Sequence, residues 1–521
     1  MAIVYFKVFI PCAGVGSRAR AETGEYINKA LVAVNHKPVI SFIVDKFPAD
    51  IEIVVALGHK GESIRDFLLL SYPERRFTFV DVDPYEGEGS GKGRTLLSCE
   101  EHLQCPFIFI ANDTIIEGKI PGCDHDWVGA YESKDVTQYR TLLIKDGFLI
   151  DIMGNRSQDT IYTGVAGIKS YDLFWDYLNR GSNRGSIEEG ECYGINSLLA
   201  DKMIKVHYLD WHDVGNEEAI ARTRKVFYDE NSPKILDKDG EFIWFSNGKV
   251  IKYSSDTNFI TNRVKRGLLL GDYVPSVLDS TDHMYVYNIE PGDRMSTNAS
   301  PTEMISLLNW LSSFWKKEEL NKEEESNFHG VCMQFYRDKT YQRVEDYFSR
   351  FGETDSESII NGSMVAKTID MLDALDWEWL SKGVATRFHG DLHLENILAD
   401  RRGSVPYFKL LDWRQDFGGL LKYGDIYYDF AKLRHGLIVS DELMSEGHYS
   451  VKRDQGAVID LLRRHIFIEM ESMLQSYIES HGYDYEKVRV LTAIVYLNMS
   501  ALHENPYAHF LYCLGRYLLC T

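Results

Sequence analysis

CAGVGSRARAETGEYINKAL, residues 12–31, follows the apolar run VYFKVFI and sets two glycines, Gly14 and Gly16, at the end of a first strand. A glycine turn there lets the backbone approach phosphate groups closely, because no Cβ intervenes. Arg18 adds a fork of donors and Lys29 a compact positive charge, both suited to a triphosphate. The loop is no dinucleotide fingerprint, since the third glycine is missing. GEGSGKG, residues 87–93, imitates a P-loop and also fails. Glu86 stands where the first glycine should be, and Gly93 where Ser or Thr should be.

Outward from the loop, IEIVVAL, RFTFVDV and PFIFIA read as buried strands, while SIRDFLLL and GRTLLSCEEHL have helical spacing. This alternation predicts an α/β unit over residues 1–225, with a mostly parallel sheet flanked by helices. Ligands of such sheets sit at the carboxyl ends of the strands, where the glycine loop falls. Asp113 ends the strand in FIFIANDTII, and Asp213 in YLDWHDVGNEEAI follows another apolar run. Two carboxylates so placed could share one Mg²⁺. Taken alone, Asp213 reads equally well as a helix cap or turn residue.

As a set, AGVGSR, Lys29, Asp113 and Asp213-Val-Gly215 resemble the sugar-phosphate nucleotidyltransferase family over residues 5–225, as does the run NHKPVISFIV. One departure is Asn28-Lys29 where the family has Pro-Lys. The resemblance implies a Rossmann-like nucleotidyltransferase sheet. It implies that Gly14, Gly16, Arg18 and Lys29 hold the triphosphate, with Arg18 and Lys29 catalytic, and that Asp113 and Asp213 bind Mg²⁺. The implied reaction joins an NTP (CTP, GTP or UTP) to a phosphate monoester and releases pyrophosphate.

Residues 226–240, with YDENSPKILDKDG at 228–240, are polar and read as a linker. FIWFSNGKVIKYS then reads as a hairpin turning at Asn247-Gly248, with Lys252 either a phosphate-binding lysine or a solvent-facing one. DHMYVYNIEPGDR continues as a strand ending in a hinge at 290–292, and the chain beyond residue 300 reads as mostly helical. EMISLLNWLSSFW and DLLRRHIFIEMESMLQSYI have amphipathic spacing. KKEELNKEEE, residues 316–325, reads as a solvated face or loop.

HGDLHLENIL, residues 389–398, places Asp391 and Asn396 five residues apart, and Asp412 ends the run FKLLD. An aspartate that orients a hydroxyl, with an Asn and an Asp that hold magnesium, is what transfer of the γ-phosphate of ATP requires. This half resembles the aminoglycoside phosphotransferase and choline kinase family over residues 240–521. The resemblance implies a two-lobed, protein-kinase-like α+β domain, with an N lobe at about 241–292 and a helical C lobe at about 293–521. It implies Asp391 as catalytic base, Asn396 and Asp412 as Mg²⁺ ligands, Lys252 on the ATP phosphates, His389 as a brace and Asp429 in a structural role. No glutamate stands in FITNRVKRGLLL to pair with Lys252.

A kinase makes the phosphate monoester that a nucleotidyltransferase consumes. The fusion therefore points to a bifunctional enzyme that phosphorylates a sugar or polyol and then activates it, as in bacterial capsular biosynthesis proteins. Choline or ethanolamine as substrate, giving CDP-choline or its analogue, is the alternative, as is a single active kinase with a regulatory nucleotide-binding half. The 31 tyrosines and nine tryptophans leave an ammonium-binding cage open.

Composition bounds these readings. The chain has 521 residues, 44% of them hydrophobic, enough for two to four packed domains. Its net charge of −21 disfavours nucleic acid and anionic membranes as partners. The eight cysteines form no C-x-x-C pair, which fits reduced thiols and a cytoplasmic location. MAIVYFKVFIP runs straight into the glycine loop and reads as a strand, not a signal peptide. No apolar run approaches the roughly 18 residues of a membrane span.

Overall fold

Side-chain alternation decides the layers of the first half. Along the strand Lys7–Cys12, Val8, Ile10 and Cys12 enter one core cluster and Phe9 the other. Ile53, Val55 and Leu57 against Val54 and Ala56 repeat the pattern one strand over. A strand apolar on both faces must be covered on both.

The computed structural model describes residues 5–16, 18, 22, 25–154, 159–181, 185–229, 238–403, 406–453 and 456–521. The chain divides into two compact units, Met1–Thr257 with Leu278–Tyr287, and Asn258–Val277 with Asn288–Thr521. Residues 230–237 of the expected linker lie outside the described residues. Among the described residues no helix is long and apolar enough to cross a membrane, and all eight cysteines are free thiols.

The first unit is built on a nine-stranded sheet. Its order is Phe77–Asp81, Ile53–Leu57, Lys7–Cys12, Phe107–Ile110, Thr160–Ile168, Trp127–Glu132, Lys205–Tyr208, Phe148–Met153, Thr141–Lys145. The first four strands are parallel. Beyond them, among the described residues, the only parallel pair is Lys205–Tyr208 with Trp127–Glu132, and the rest is antiparallel. The expected mostly parallel sheet is thus a mixed one. From Thr114 to Ile168 five strands follow one another with no helix among the described residues. Parallel neighbours need a crossover of a dozen or more residues, which these short links do not provide. Sheet order reverses beside Lys7–Cys12, so the glycine loop emerges at a switch point.

The hairpin Glu241–Ser246 and Lys249–Ser254 turns at Asn247 and Gly248, both with positive φ (50° and 71°), as a two-residue Asn-Gly turn requires. It belongs to the first unit, whereas the sequence pattern had placed it at the head of the second domain. The reason is the Trp244 ring. It lies edge-on to Phe67 at 5.4 Å, stacks on Phe242, and donates its Nε1–H to the Leu31 carbonyl at 3.0 Å. Periodicity identifies the strands but not the neighbour that covers them.

The second unit is largely helical. Its central helix, Ile426–Ile438, is buried on nearly every face, as a core helix is. Tyr485–Ser500 and His465–Ser480 pack on it, and Tyr507–Cys520 packs on Tyr485–Ser500. Lys322–Met333 and Lys339–Phe351 form one run interrupted by the π-helical segment Gln334–Asp338. Part of the acidic run 316–325 begins that helix, where Asn321 and Glu324 make a reciprocal capping box. DLLRR does not open a helix as expected. Ala457–Leu461 is a strand paired with Tyr449–Arg453, and the helix starts at His465.

Candidate functional sites

In the first unit, Lys29 follows Asn28, and Asn28 is buried because it ties three segments together. Its Nδ2 donates to the Cys12 carbonyl at 3.0 Å and to the His59 carbonyl at 2.7 Å, while its Oδ1 caps the short helix Lys29–Leu31. This fixes Lys29 against the end of the first strand without the proline of the family pattern. Gly16 has φ +68°, and a Cβ there would come within 3.0 Å of the Lys29 side chain. The glycine is therefore needed where lysine crosses the loop. Gly14 has no such crowding, and Arg18 is exposed.

Lys29 Nζ lies 2.7 Å from Asp113 Oδ2. Asp213 joins them through strand register. Thr114–Glu117 pairs with Asp210–Asp213 so that Asp213 sits opposite Thr114, one residue from Asp113. A Cβ on Gly215 would lie 3.0 Å from Asp213 Oδ1 and 3.4 Å from Asp113 Oδ2, so both carboxylates converge on this glycine. Asp213 also accepts from the Tyr139 hydroxyl at 2.7 Å and from the Gly215 amide at 2.9 Å.

The two carboxylates are pushed apart electrostatically. Burial opposes charge on Asp113, but Lys29, Lys92 and Arg18 hold it below the ordinary carboxylate range. Asp213 is raised, by burial and by the Asp113 charge, with Tyr139 partly offsetting. Two converging oxygen donors that repel one another suit a hard divalent cation such as Mg²⁺.

GEGSGKG has a packing explanation. A Cβ on Gly91 would meet the Ile187 carbonyl oxygen at 2.4 Å, and one on Gly93 the Ser186 carbonyl oxygen at 2.1 Å. Lys92 approaches the buried Glu191 at 3.6 Å, and Glu191 raises its pKa. Tyr139 and Glu191 sit in no local motif, and Asn28 stands out in the sequence only as the residue in place of the family's proline.

In the second unit, the HGD turn is held from below. His389 is fully buried, and its Nε2 bonds the Leu411 carbonyl at 2.8 Å. Asp429 accepts from the His389 amide at 2.8 Å, the Gly390 amide at 2.7 Å and Trp315 Nε1 at 3.0 Å. Both expected bracing roles thus have a geometric basis. Burial pushes Asp429 up to about 6 and His389 down to about 3.

One helical turn beyond Asp429, Lys432 reaches Asp391 at 2.8 Å. Burial works against charge on Asp391, yet Lys432 and His393 hold it well below the usual carboxylate range. His393 bridges Glu395 at 2.9 Å and Asp391 at 3.7 Å, and against its burial these carboxylates raise it to about 10. His393, Glu395 and Asp441 present ligand atoms within 4.8 Å of one another.

Asn396 donates its amide Nδ2–H to the Asp391 carbonyl at 2.9 Å, leaving its Oδ1 outside that bond. The hairpin Ile397–Asp400 and Tyr407–Leu410 pairs Ile397 with Leu410, which carries Asp412 back beside Asn396. Asp412 has φ +59° and meets Arg263 Nη1 at 3.2 Å. Carboxylate and amide oxygens here also form a donor set that fits Mg²⁺. Arg266 is buried, lies 3.8 Å over the Phe388 ring, and donates to the carbonyls of Phe388, His389, Arg414 and Leu421. Both arginines stand in the helix Thr257–Leu270, Arg263 against Asp412 and Arg266 beneath the HGD turn. Lys252 is a buried residue of Lys249–Ser254 and belongs to the first unit, while Asp391, Asn396 and Asp412 belong to the second.

No family model matches the chain. No curated protein matches it either. Among solved structures, it is similar to CTP:phosphocholine cytidylyltransferase from Streptococcus pneumoniae (LicC) at 21% identity, over 43% of this chain and 100% of that one, with a TM-score of 0.37. A UDP-glucose pyrophosphorylase complexed with UDP-glucose is similar at 17% identity, over 43% and 98%, with a TM-score of 0.36. HddC from Yersinia pseudotuberculosis is similar at 20% identity, over 43% and 100%, with a TM-score of 0.33. These likenesses lie in the N-terminal part of the chain.

Proposed function

We propose that the chain is a bifunctional transferase: the second unit phosphorylates a small alcohol with ATP, and the first couples the resulting phosphate to an NTP. The observation that carries the first activity is the convergence of Asp113 and Asp213 on Gly215, with Lys29 on Asp113, beside a glycine loop at the sheet's switch point. A bound Mg²⁺ would offset charge on the triphosphate as pyrophosphate leaves. Lys29 and Arg18 would hold the triphosphate itself, and Asn28 would keep Lys29 in place.

For the second activity, Asp391 is the group that touches the acceptor. With its pKa held low, it is ionised at neutral pH, orients the acceptor hydroxyl and takes its proton late in the transfer. Asn396 and Asp412 would hold Mg²⁺ against the ATP phosphates, and Arg263 sets the Asp412 carboxylate.

The experiment is a mass-spectrometric product scan. Purified chain is given ATP, Mg²⁺ and polyols, sugars, choline or ethanolamine, each with CTP, GTP or UTP. A nucleoside-diphospho-alcohol from one pairing is expected. A phosphorylated alcohol that no NTP converts further contradicts the first activity.

A further inference from the structure

The side chains around Asp391 say what kind of alcohol it accepts. Phe335, in the π-helical segment Gln334–Asp338, carries two cations over its ring, Lys339 Nζ at 4.4 Å and Arg414 Cζ at 5.0 Å from the centroid. Arg414 is locked to the HGD turn: its amide donates to the His389 carbonyl at 2.9 Å, and a Cβ on Gly390 would fall 2.7 Å from its own Cβ. Lys432 completes the group through its 2.8 Å contact with Asp391. Among the described residues neither Lys339 nor Arg414 is in a salt bridge, and the buried Arg414 Nε has no hydrogen-bond partner.

Such a group is costly by itself. Burial first, then Arg414, Arg343 and Lys432, push Lys339 down to about 7. Asp391 is one carboxylate among these cations and is already engaged by Lys432 and His393. In a chain of net charge −21, a local excess of positive charge over one carboxylate that is already engaged marks a place for a bound anion.

We propose that the acceptor phosphorylated in the second unit is itself an anion, an alcohol bearing a carboxylate or phosphate that sits against Lys339 and Arg414. This rests on the reading of Asp391 as the acceptor-binding carboxylate. In the step, the acceptor O–H gives its proton to Asp391 as its oxygen bonds the γ-phosphorus and the bond to ADP breaks. Lys339 and Arg414 take no part in that exchange; they fix the far end of the acceptor. A cationic acceptor such as choline is excluded by the same charges.

The test uses the full chain with ATP and Mg²⁺ and compares glycerol, D-glycerate, glycerol 3-phosphate and choline. An anionic member is expected to have the highest kcat/KM. Lys339→Met and Arg414→Met should each raise its KM at least roughly tenfold, the loss of one charge-assisted contact, with KM for ATP unchanged. Best use of glycerol or choline overturns the proposal, as does an effect confined to ATP. The carboxylate and phosphate arms tell the two anion sources apart.

A second readout separates this proposal from the kinase reading. Lys339, with its lowered pKa, should react readily with trinitrobenzenesulfonate near neutral pH. D-Glycerate or inorganic phosphate, but not glycerol or chloride at equal ionic strength, should slow that labelling several-fold. If no acceptor is phosphorylated yet protection is seen, the anion site stands and the kinase reading falls. Absence of protection overturns the anion site whatever the turnover.

Discussion

Lys29 Nζ and Asp113 Oδ2 lie 2.7 Å apart at the carboxyl edge of the first unit's sheet, and their ion pair holds the Asp113 carboxyl below its ordinary range. Lys29→Met removes both a triphosphate contact and this restraint. Pyrophosphate release should fall by about 10²–10³-fold, the usual loss for one preorganised charge contact. The Asp113 pKa should rise at the same time, shifting the acid limb of the pH–rate profile to higher pH. A variant that keeps its rate would remove Lys29 from the reaction.

Tyr139 donates to Asp213 and partly offsets the burial that raises it. In Tyr139→Phe that donor is gone, so Asp213 rises further and its carboxylate is less well oriented toward a cation. The Mg²⁺ concentration for half-maximal pyrophosphate release should increase several-fold with kcat nearly constant. An unchanged Mg²⁺ dependence would contradict the shared-cation arrangement.

Trp244 belongs to the hairpin that packs on Leu31 and Phe67. Trp244→Ala should destabilise the first unit by about 3–5 kcal/mol, the usual cost of deleting a buried aromatic ring. Leu31 directly follows Lys29-Ala30, so NTP binding should weaken in the fraction that remains folded. Calorimetry on the full chain would reveal this as one transition moving down while the other holds.

His389 and Asp429 impose opposite pH dependences on the second unit. His389 is held near 3 against 6.5 in the unfolded chain, so the unfolded state binds the extra proton. Its stabilisation is complete above about 6.5 and is lost as pH falls toward 3. Asp429 is raised to about 6 from 3.8, so its contribution is complete below 3.8 and is lost as pH rises through 6. Between pH 6 and 4, His389→Gln should therefore flatten the fall of the urea midpoint on acidification, and Asp429→Asn should steepen it. Identical slopes in the two variants and the parent chain would refute both assignments.

What could be read from sequence was what local spacing encodes. Gly14, Gly16, Asp113 and Asp213 stand at strand ends, and Asp391 with Asn396 stands in one ten-residue run, so each announced itself. The partners that tune them come from afar. Tyr139 lies 74 positions from Asp213, and Arg263 lies 149 from Asp412. No local period marks such pairs. The mixed sheet and the placement of the Trp244 hairpin escaped for a related reason: alternation shows which faces are buried, while the partner strand or helix is a tertiary choice.

The central claim, that two distinct sites act in sequence, is tested most directly by feeding the free alcohol and its phosphate separately to Asp391→Asn and Asp113→Asn. The expected result is that Asp391→Asn loses activation of the free alcohol, by at least about a hundredfold, yet still converts the ready-made phosphate. Asp113→Asn should accumulate the phosphorylated alcohol and make no nucleoside-diphospho product from either. Loss of both conversions in Asp391→Asn, or full product formation by Asp113→Asn, would contradict the two-site sequence.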